Sequence, residues 1–220
     1  PARNKVWGGW FRQRGWSVME TNARDGKGVN QFSAAIKSAL KDKIEQWKAK
    51  GLVGRPVRAM VVGVPNVGKS TFINQVAKKK SAKAGNKPGV TRGKQWVNVD
   101  PGLDLLDTPG ILWPKFEDEI TGMHLAFTGA VKDEIMDRET LACHLMEILG
   151  QRYPQAITDR YKVEPQPGLA GWELLEACGR KRGFLISGGE VDTERMARVL
   201  LEEYRSGKLG NFTLETPQEV

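Results

Sequence analysis

At 220 residues with two cysteines, the chain can bury a sizeable core and is no disulfide-stapled miniprotein. No apolar run approaches the roughly 20 residues that cross a bilayer, and Pro1-Ala2-Arg3-Asn4-Lys5 is neither a signal peptide nor an initiator methionine; this predicts a reducing, cytoplasmic setting with no membrane and no disulfide-linked partner. The net charge of +8 is uneven, with 21 Lys and Arg against 5 Asp and Glu in residues 1–100 and 13 against 21 in residues 101–220, so the basic half predicts a polyanionic partner, nucleic acid by default.

Trp16-Ser17-Val18-Met19 reads as a short strand, followed by the turn-rich run Asn22 to Gly28. Phe32, Ile36, Leu40, Ile44 and Trp47 recur at helical spacing and predict one amphipathic helix ending near Gly51. After Gly54-Arg55-Pro56, Ala59 to Val62 reads as a buried strand running into the loop Gly63 to Gly68, and a helix is expected from Ser70. The basic stretch Lys78 to Gly89 has no apolar period and is expected to be an exposed loop. Gln95 to Val99 alternates as a strand, Asp100-Pro101-Gly102 turns, and Leu103 to Leu106 returns beside it. Three further helices are marked by Leu141, Leu145, Ile148 and Leu149, by Trp172, Leu175 and Cys178, and by Met196, Val199, Leu200 and Tyr204. The expectation is a three-layer α/β domain over residues 1–131 and a small all-α C-terminal domain over residues 132–220, with both cysteines as core thiols.

Gly63-Val64-Pro65-Asn66-Val67-Gly68-Lys69-Ser70 fits the pattern G-x-x-x-x-G-K-[ST], placed after a strand and before a helix. Glycines let the backbone N–H groups turn inward onto phosphates, and the helix N-terminus adds a favourable dipole. Lys69 can reach the β and γ phosphates, and Ser70 can ligate Mg²⁺. Asp107-Thr108-Pro109-Gly110 puts a second carboxylate at a strand end, where Asp107 can support the Mg²⁺ shell and the Gly110 amide can sense a γ phosphate. Between the two motifs, Thr91 can close onto the metal.

This combination resembles the translation-factor-like GTPases. Their guanine-reading Asn-Lys-x-Asp motif has no place downstream, because no asparagine occurs from residue 99 to 210. Glu20-Thr21-Asn22-Ala23-Arg24 resembles the segment that closes the base pocket, through Asn22 and Ala23, and it precedes the phosphate loop. That order is the mark of a circularly permuted GTPase. Pro65 to Thr71, Pro88-Gly89-Val90-Thr91, Leu106 to Phe116 with its Trp-Pro-Lys-Phe run, Thr128-Gly129-Ala130 and Ser187-Gly188-Gly189 resemble the ribosome biogenesis GTPase A (YlqF-type) family. The resemblance implies binding of GTP and GDP, action in late assembly of the large ribosomal subunit, and contact with its rRNA by the helical domain. Asn4-Lys5 is followed by Val6-Trp7, so the Asp of the guanine motif is missing, and the chain reads as incomplete at its N-terminus.

Ile111 stands where many GTPases carry a water-orienting glutamine, which predicts slow turnover. The resemblance implies acceleration by the ribosomal subunit and a K⁺ held by Asn66. Lys69, Thr91 and Gly110 are the expected catalytic set. Pro65, Asn66, Val67, Gly68, Ser70, Thr71 and Asp107 join them around the nucleotide. Lys78, Lys79, Lys80, Arg180, Lys181, Arg182, Arg195 and Arg198 are candidate RNA contacts. His124 and His144 lack ligand spacing, Trp113 and Phe116 read equally as core or as a partner-facing wedge, and the molecule is expected to be monomeric. Two other readings fit: a nucleotide-gated RNA-binding adaptor with little turnover, or another K⁺-dependent GTPase of RNA metabolism.

Overall fold

A computed structural model describes residues 2–77, 93–112, 118–131 and 137–218. The expected Lys78 to Lys80 contacts, the Pro88 to Thr91 segment, Trp113 and Phe116 lie outside the described residues. Two compact units emerge, residues 1–113 with 213–220, and residues 114–212. No described helix is long and apolar enough to cross a membrane.

The first unit opens with α1 (Ala2–Gln13) and continues through a 3₁₀ turn at Val29–Gln31 into α2 (Phe32–Ala39) and α3 (Lys41–Ala49). The single helix expected from Phe32 to Trp47 is thus two. Leu40 leaves the helical region at φ −110°, ψ 17°, although its amide still donates to the Ile36 carbonyl and Ile44 donates back to Leu40. The apolar stripe survives the bend: Phe32, Ile36, Leu40, Ile44 and Trp47 all pack on the core of Val57, Ile73, Val97, Leu103 and Leu105. Ser33 and Lys37 (3.0 Å) both bond the Asp100 carboxylate, tying α2 to the end of β2. Those bonds, Ser33's foremost, hold the Asp100 carboxyl below the usual carboxylate range.

The sheet has the order β1 (Val57–Val61), β3 (Leu103–Asp107), β2 (Gln95–Asp100), with β1 parallel and β2 antiparallel to β3. Helix α4 (Lys69–Val76) follows β1. β3 buries Leu103, Leu105 and Asp107, its alternate positions facing one side. β1 is not the fully buried run that its sequence suggests. Its burial alternates: Val57, Ala59 and Val61 face the core, whereas Met60, on the opposite face, is 60% exposed. Trp16 to Met19 forms no strand.

In the second unit the described elements are α5 (Glu119–Phe127), α6 (Arg138–Arg152), α7 (Pro154–Tyr161), α8 (Gly171–Lys181) and α9 (Thr193–Ser206). Helix α5 belongs to this unit. The side chains of Asp118, Asp137 and Asp192 cap α5, α6 and α9 by accepting from first-turn amides. Pro154 separates α7 from α6 and opens it, since the first helical turn needs no proline N–H. Leu141, Leu145, Met146, Leu149, Leu174, Leu175, Cys178, Met196 and Leu200 form a closed core. Cys178 is buried and Cys143 half-buried, and both are free thiols. Trp172, one of the residues that mark α8 in the sequence, is 58% exposed. Arg205 of α9 donates to the Ala126 (2.8 Å) and Phe127 (3.0 Å) carbonyls at the end of α5, and packs over Gly129 at φ 74°. Thr128-Gly129-Ala130 is therefore a helix stop fitted to an arginine.

Helices α6 and α8 approach so closely that a Cβ on Gly171 would lie 2.0 Å from the Cys143 carbonyl oxygen. Gly171→Ala must push α8 away and is expected to cost about 2 kcal/mol or more. Urea unfolding measures this, and a variant as stable as the parent would show that the crossing can widen freely.

Candidate nucleotide site

The site grows from the C-terminal ends of two parallel neighbours. Val61 of β1 lies in register with Asp107 of β3, so both following loops leave the same edge, where ligands of open α/β sheets bind. The loop after β1 turns through Gly63 (φ 156°), Asn66 (φ 60°) and Gly68 (φ 91°), and Gly68 is the N-cap of α4. Asn66 tolerates the left-handed region better than most side chains. The curl leaves α4 opening with Lys69 and Ser70 at its positive end.

Lys69 Nζ donates to the carbonyl oxygens of Gly63 (3.1 Å) and Val64 (2.8 Å). The ammonium is thus folded back over the mouth of its own loop, where phosphate oxygens could replace the carbonyls. Burial pushes its pKa down, while the nearby Asp107 charge opposes that shift. Ser70 Oγ donates to Asp107 Oδ2 at 2.9 Å.

Asp107 is 1% exposed, and its other oxygen, Oδ1, is buried with no hydrogen-bond partner. A buried carboxylate oxygen left unpaired is costly and marks a place where a ligand belongs. Hydroxyl and carboxylate oxygens are hard donors that suit Mg²⁺. No group of three His, Cys, Asp or Glu side chains capable of holding a metal forms among the described residues. A divalent ion at Ser70 and Asp107 would therefore take its remaining ligands from phosphate and water, as Mg²⁺ does.

The second loop is hooked onto the first. Thr108 Oγ1 donates to the Val61 carbonyl at 2.7 Å, and the Ile111 amide donates to the Gly63 carbonyl at 3.3 Å. A Cβ on Gly110 would sit 2.5 Å from the backbone N and Cα of Pro65. Glycine is required there because two backbones touch. Thr108 was not singled out as a site residue from sequence; its place beside Asp107 in the Asp-Thr-Pro-Gly run was the available signal. Gly110→Ala is expected to lower GTP turnover roughly tenfold to a hundredfold by displacing one loop from the other, with a smaller loss of GDP affinity. Single-turnover hydrolysis alongside a GDP titration separates the two effects, and unchanged turnover would show that the contact is dispensable.

Residues 58–165 match the family model described as 50S ribosome-binding GTPase. The chain is 44% identical over 215 residues to Ribosome biogenesis GTPase A of Bacillus cereus, an alignment that spans 98% of this chain and 72% of that protein. This chain belongs to the ribosome biogenesis GTPase A family. It is accordingly a GTPase that binds guanine nucleotide. The Thermotoga maritima family member is 29% identical over 216 residues, covering 98% of this chain and 71% of that protein. Among solved structures, a GDP-bound YlqF superposes with TM-score 0.64 at 28% identity, covering 99% of this chain and 78% of that one. A GNP-bound YlqF from T. maritima gives 0.61 at 27%, covering 100% and 77%. The mixed α/β architecture is thus the P-loop GTPase fold of the ribosome biogenesis GTPase A family.

The other expected site residues separate into groups. Pro65, Asn66, Val67 and Gly68 form the loop, and Thr71 lies in the first turn of α4. Asn22 and Ala23 sit in a closed turn, where the Asn22 side chain donates to Asp25 (3.0 Å), accepts from the Arg24 amide (3.0 Å) and the backbone bridges Lys27. A Cβ on Gly28 would lie 2.4 Å from the Glu20 carbonyl oxygen, so this turn too closes on a glycine. Arg195 lies over the Phe184 ring at 4.2 Å, and Arg180 pairs with Glu176 at 2.9 Å. Lys181 and Arg198 are exposed. Arg182, another candidate RNA contact, donates to the Glu203 carboxylate (3.2 Å) and lies over the Tyr161 ring. His124 lies 6.0 Å from the Phe127 ring, and His144 is exposed.

Proposed function

We propose that this GTPase is a guanine-nucleotide switch in late maturation of the large ribosomal subunit, working in the cytoplasm as a monomer that docks on rRNA. The observation that supports it most is the convergence of Lys69, Ser70, Asp107 and Gly110 at one sheet edge, with a buried Asp107 oxygen awaiting a ligand. Lys69 would leave the Gly63 and Val64 carbonyls for the β and γ phosphates. Amides of Asn66 to Thr71 would line the phosphates, and Gly110 would present its amide to the γ phosphate, held in reach by the Pro65 contact. Ser70, Asp107 and Thr91 would hold Mg²⁺, which when bound neutralises charge between the β and γ phosphates. Asn66 would hold K⁺. Asn22 and Ala23 would close the base pocket ahead of the phosphate loop, the order of a circularly permuted GTPase, and the helices from residue 132 onward would act as an RNA-contacting domain.

Ile111 is 67% exposed and apolar, so it cannot orient water and turnover alone would be slow; acceleration on the subunit is what the family resemblance implies. The expected result is strong, GTP-specific stimulation of hydrolysis in K⁺ buffer by purified large subunits, with ATP as the control. Measurable GTP binding without stimulation would favour the second reading that Ile111 supports, a nucleotide-gated RNA adaptor that turns over little. Stimulation by small subunits alone would point to another K⁺-dependent GTPase of RNA metabolism.

A further inference from the structure

The first nineteen residues contain Arg3, Lys5, Arg12 and Arg14 and no acidic side chain. Helix α1 and the turn after it also gather four aromatic rings. Trp7 meets Trp10 edge-on at 5.6 Å, Trp10 meets Phe11 at 5.0 Å, and Phe11 meets Trp16 at 6.2 Å. The Arg14 guanidinium lies 3.5 Å over the Trp10 ring. One side of the helix is covered, since the Trp7 indole donates to the Glu215 carbonyl (3.2 Å) and Arg3 to the Thr213 carbonyl (3.1 Å). The other end of the ring ladder is open: Trp16 is 65% and Phe11 37% exposed, with Lys5 and Arg12 exposed on the same short segment. Exposed linked rings among cations, in a segment that itself carries no acidic side chain, mark an interaction surface.

We infer that α1 and Trp16 form a stacking platform for unpaired bases of RNA, deepening the rRNA reading on which it rests. Phe11 and Trp16 take base faces, while Lys5, Arg12 and Arg14 face the phosphates. Single-stranded nucleic acid is recognised by this combination of ring faces and a cationic track. A duplex hides its base faces and offers the rings nothing. A lipid surface fits less well, because Val6 is the one aliphatic side chain of α1 larger than alanine and Gly8-Gly9 interrupts the helix face.

The test is binding of a labelled oligo(A), and of a duplex of equal length, followed by anisotropy. Trp16→Ala is expected to weaken oligo(A) binding about tenfold with its salt dependence and basal GTP turnover unchanged, and Trp16→Phe is expected to restore it. Arg12→Ala is expected to reduce the slope of log affinity against log salt by about 1. Parental oligo(A) binding in both Trp16→Ala and Phe11→Ala overturns the platform. So does preferential binding of anionic vesicles that is lost in Trp16→Ala, or self-association lost in that variant. Oligo(A) binding without any binding of large subunits would sink the assembly reading and leave the platform standing. Subunit binding with unchanged oligo(A) affinity in the variants would do the reverse.

Discussion

Lys69→Ala is expected to lower GTP turnover roughly a hundredfold or more while leaving the fold intact. The side chain is half-buried at the surface of its loop, and its ammonium bonds only carbonyl oxygens that the loop can do without. Its removal therefore takes little from stability. The loss is electrostatic: a fixed cation aimed at developing phosphate charge in a partly desolvated site contributes about 3 to 4 kcal/mol to the transition state. The Gly68 turn and the positive end of α4 remain, so GDP affinity should fall much less than turnover. Single-turnover hydrolysis at saturating GTP, with a GDP titration beside it, measures both. Turnover within threefold of the parent would remove Lys69 from the catalytic set.

Glu203→Gln is expected to destabilise the helical unit by about 3 kcal/mol. Glu203 is 6% exposed. Its carboxylate accepts from Arg160 Nε (2.9 Å) and Nη2, from the Tyr161 hydroxyl (2.9 Å) and from Arg182 Nη2 (3.2 Å). These donors, Arg160's first, hold its carboxyl down at about 2 against the cost of burial. An amide keeps the shape but leaves two guanidinium groups facing no charge. Breaking a buried pair in this way costs about 3 to 5 kcal/mol, and the partial exposure of Arg160 places the effect at the lower end.

The pH dependence follows from the sign of the shift. A lowered folded pKa means that the carboxylate's contribution is complete above the unfolded value and disappears as pH falls through about 2. Urea midpoints of the parent should therefore drop between these limits, and Glu203→Gln should lose that part of the dependence. A variant with the parental acid profile would show that the network contributes nothing net.

The chemistry of the site was legible because it depends on short motifs whose residue types are fixed by phosphate geometry. Gly63 to Ser70 and Asp107 to Gly110 could be placed on a strand end and a helix start from sequence, and both are there. What joins them was not legible. That Gly110 touches Pro65 and Thr108 bonds Val61 depends on two loops sharing an edge, which no local pattern states. The kink at Leu40 carries neither proline nor glycine as a signal. Arg182 shows the same gap in the helical unit: its partner Glu203 lies 21 residues away, and no local pattern announces the pairing.

The lone Asp107 oxygen also bears on how long the molecule survives. Burying an acceptor without a donor costs about 1 to 3 kcal/mol, so the nucleotide-free chain is the form that opens most readily. A ligand that satisfies that oxygen adds its binding free energy to folding. Proteases that act on transiently open chains sample that population. Resistance of this enzyme to proteolysis should consequently rise when guanine nucleotide is bound.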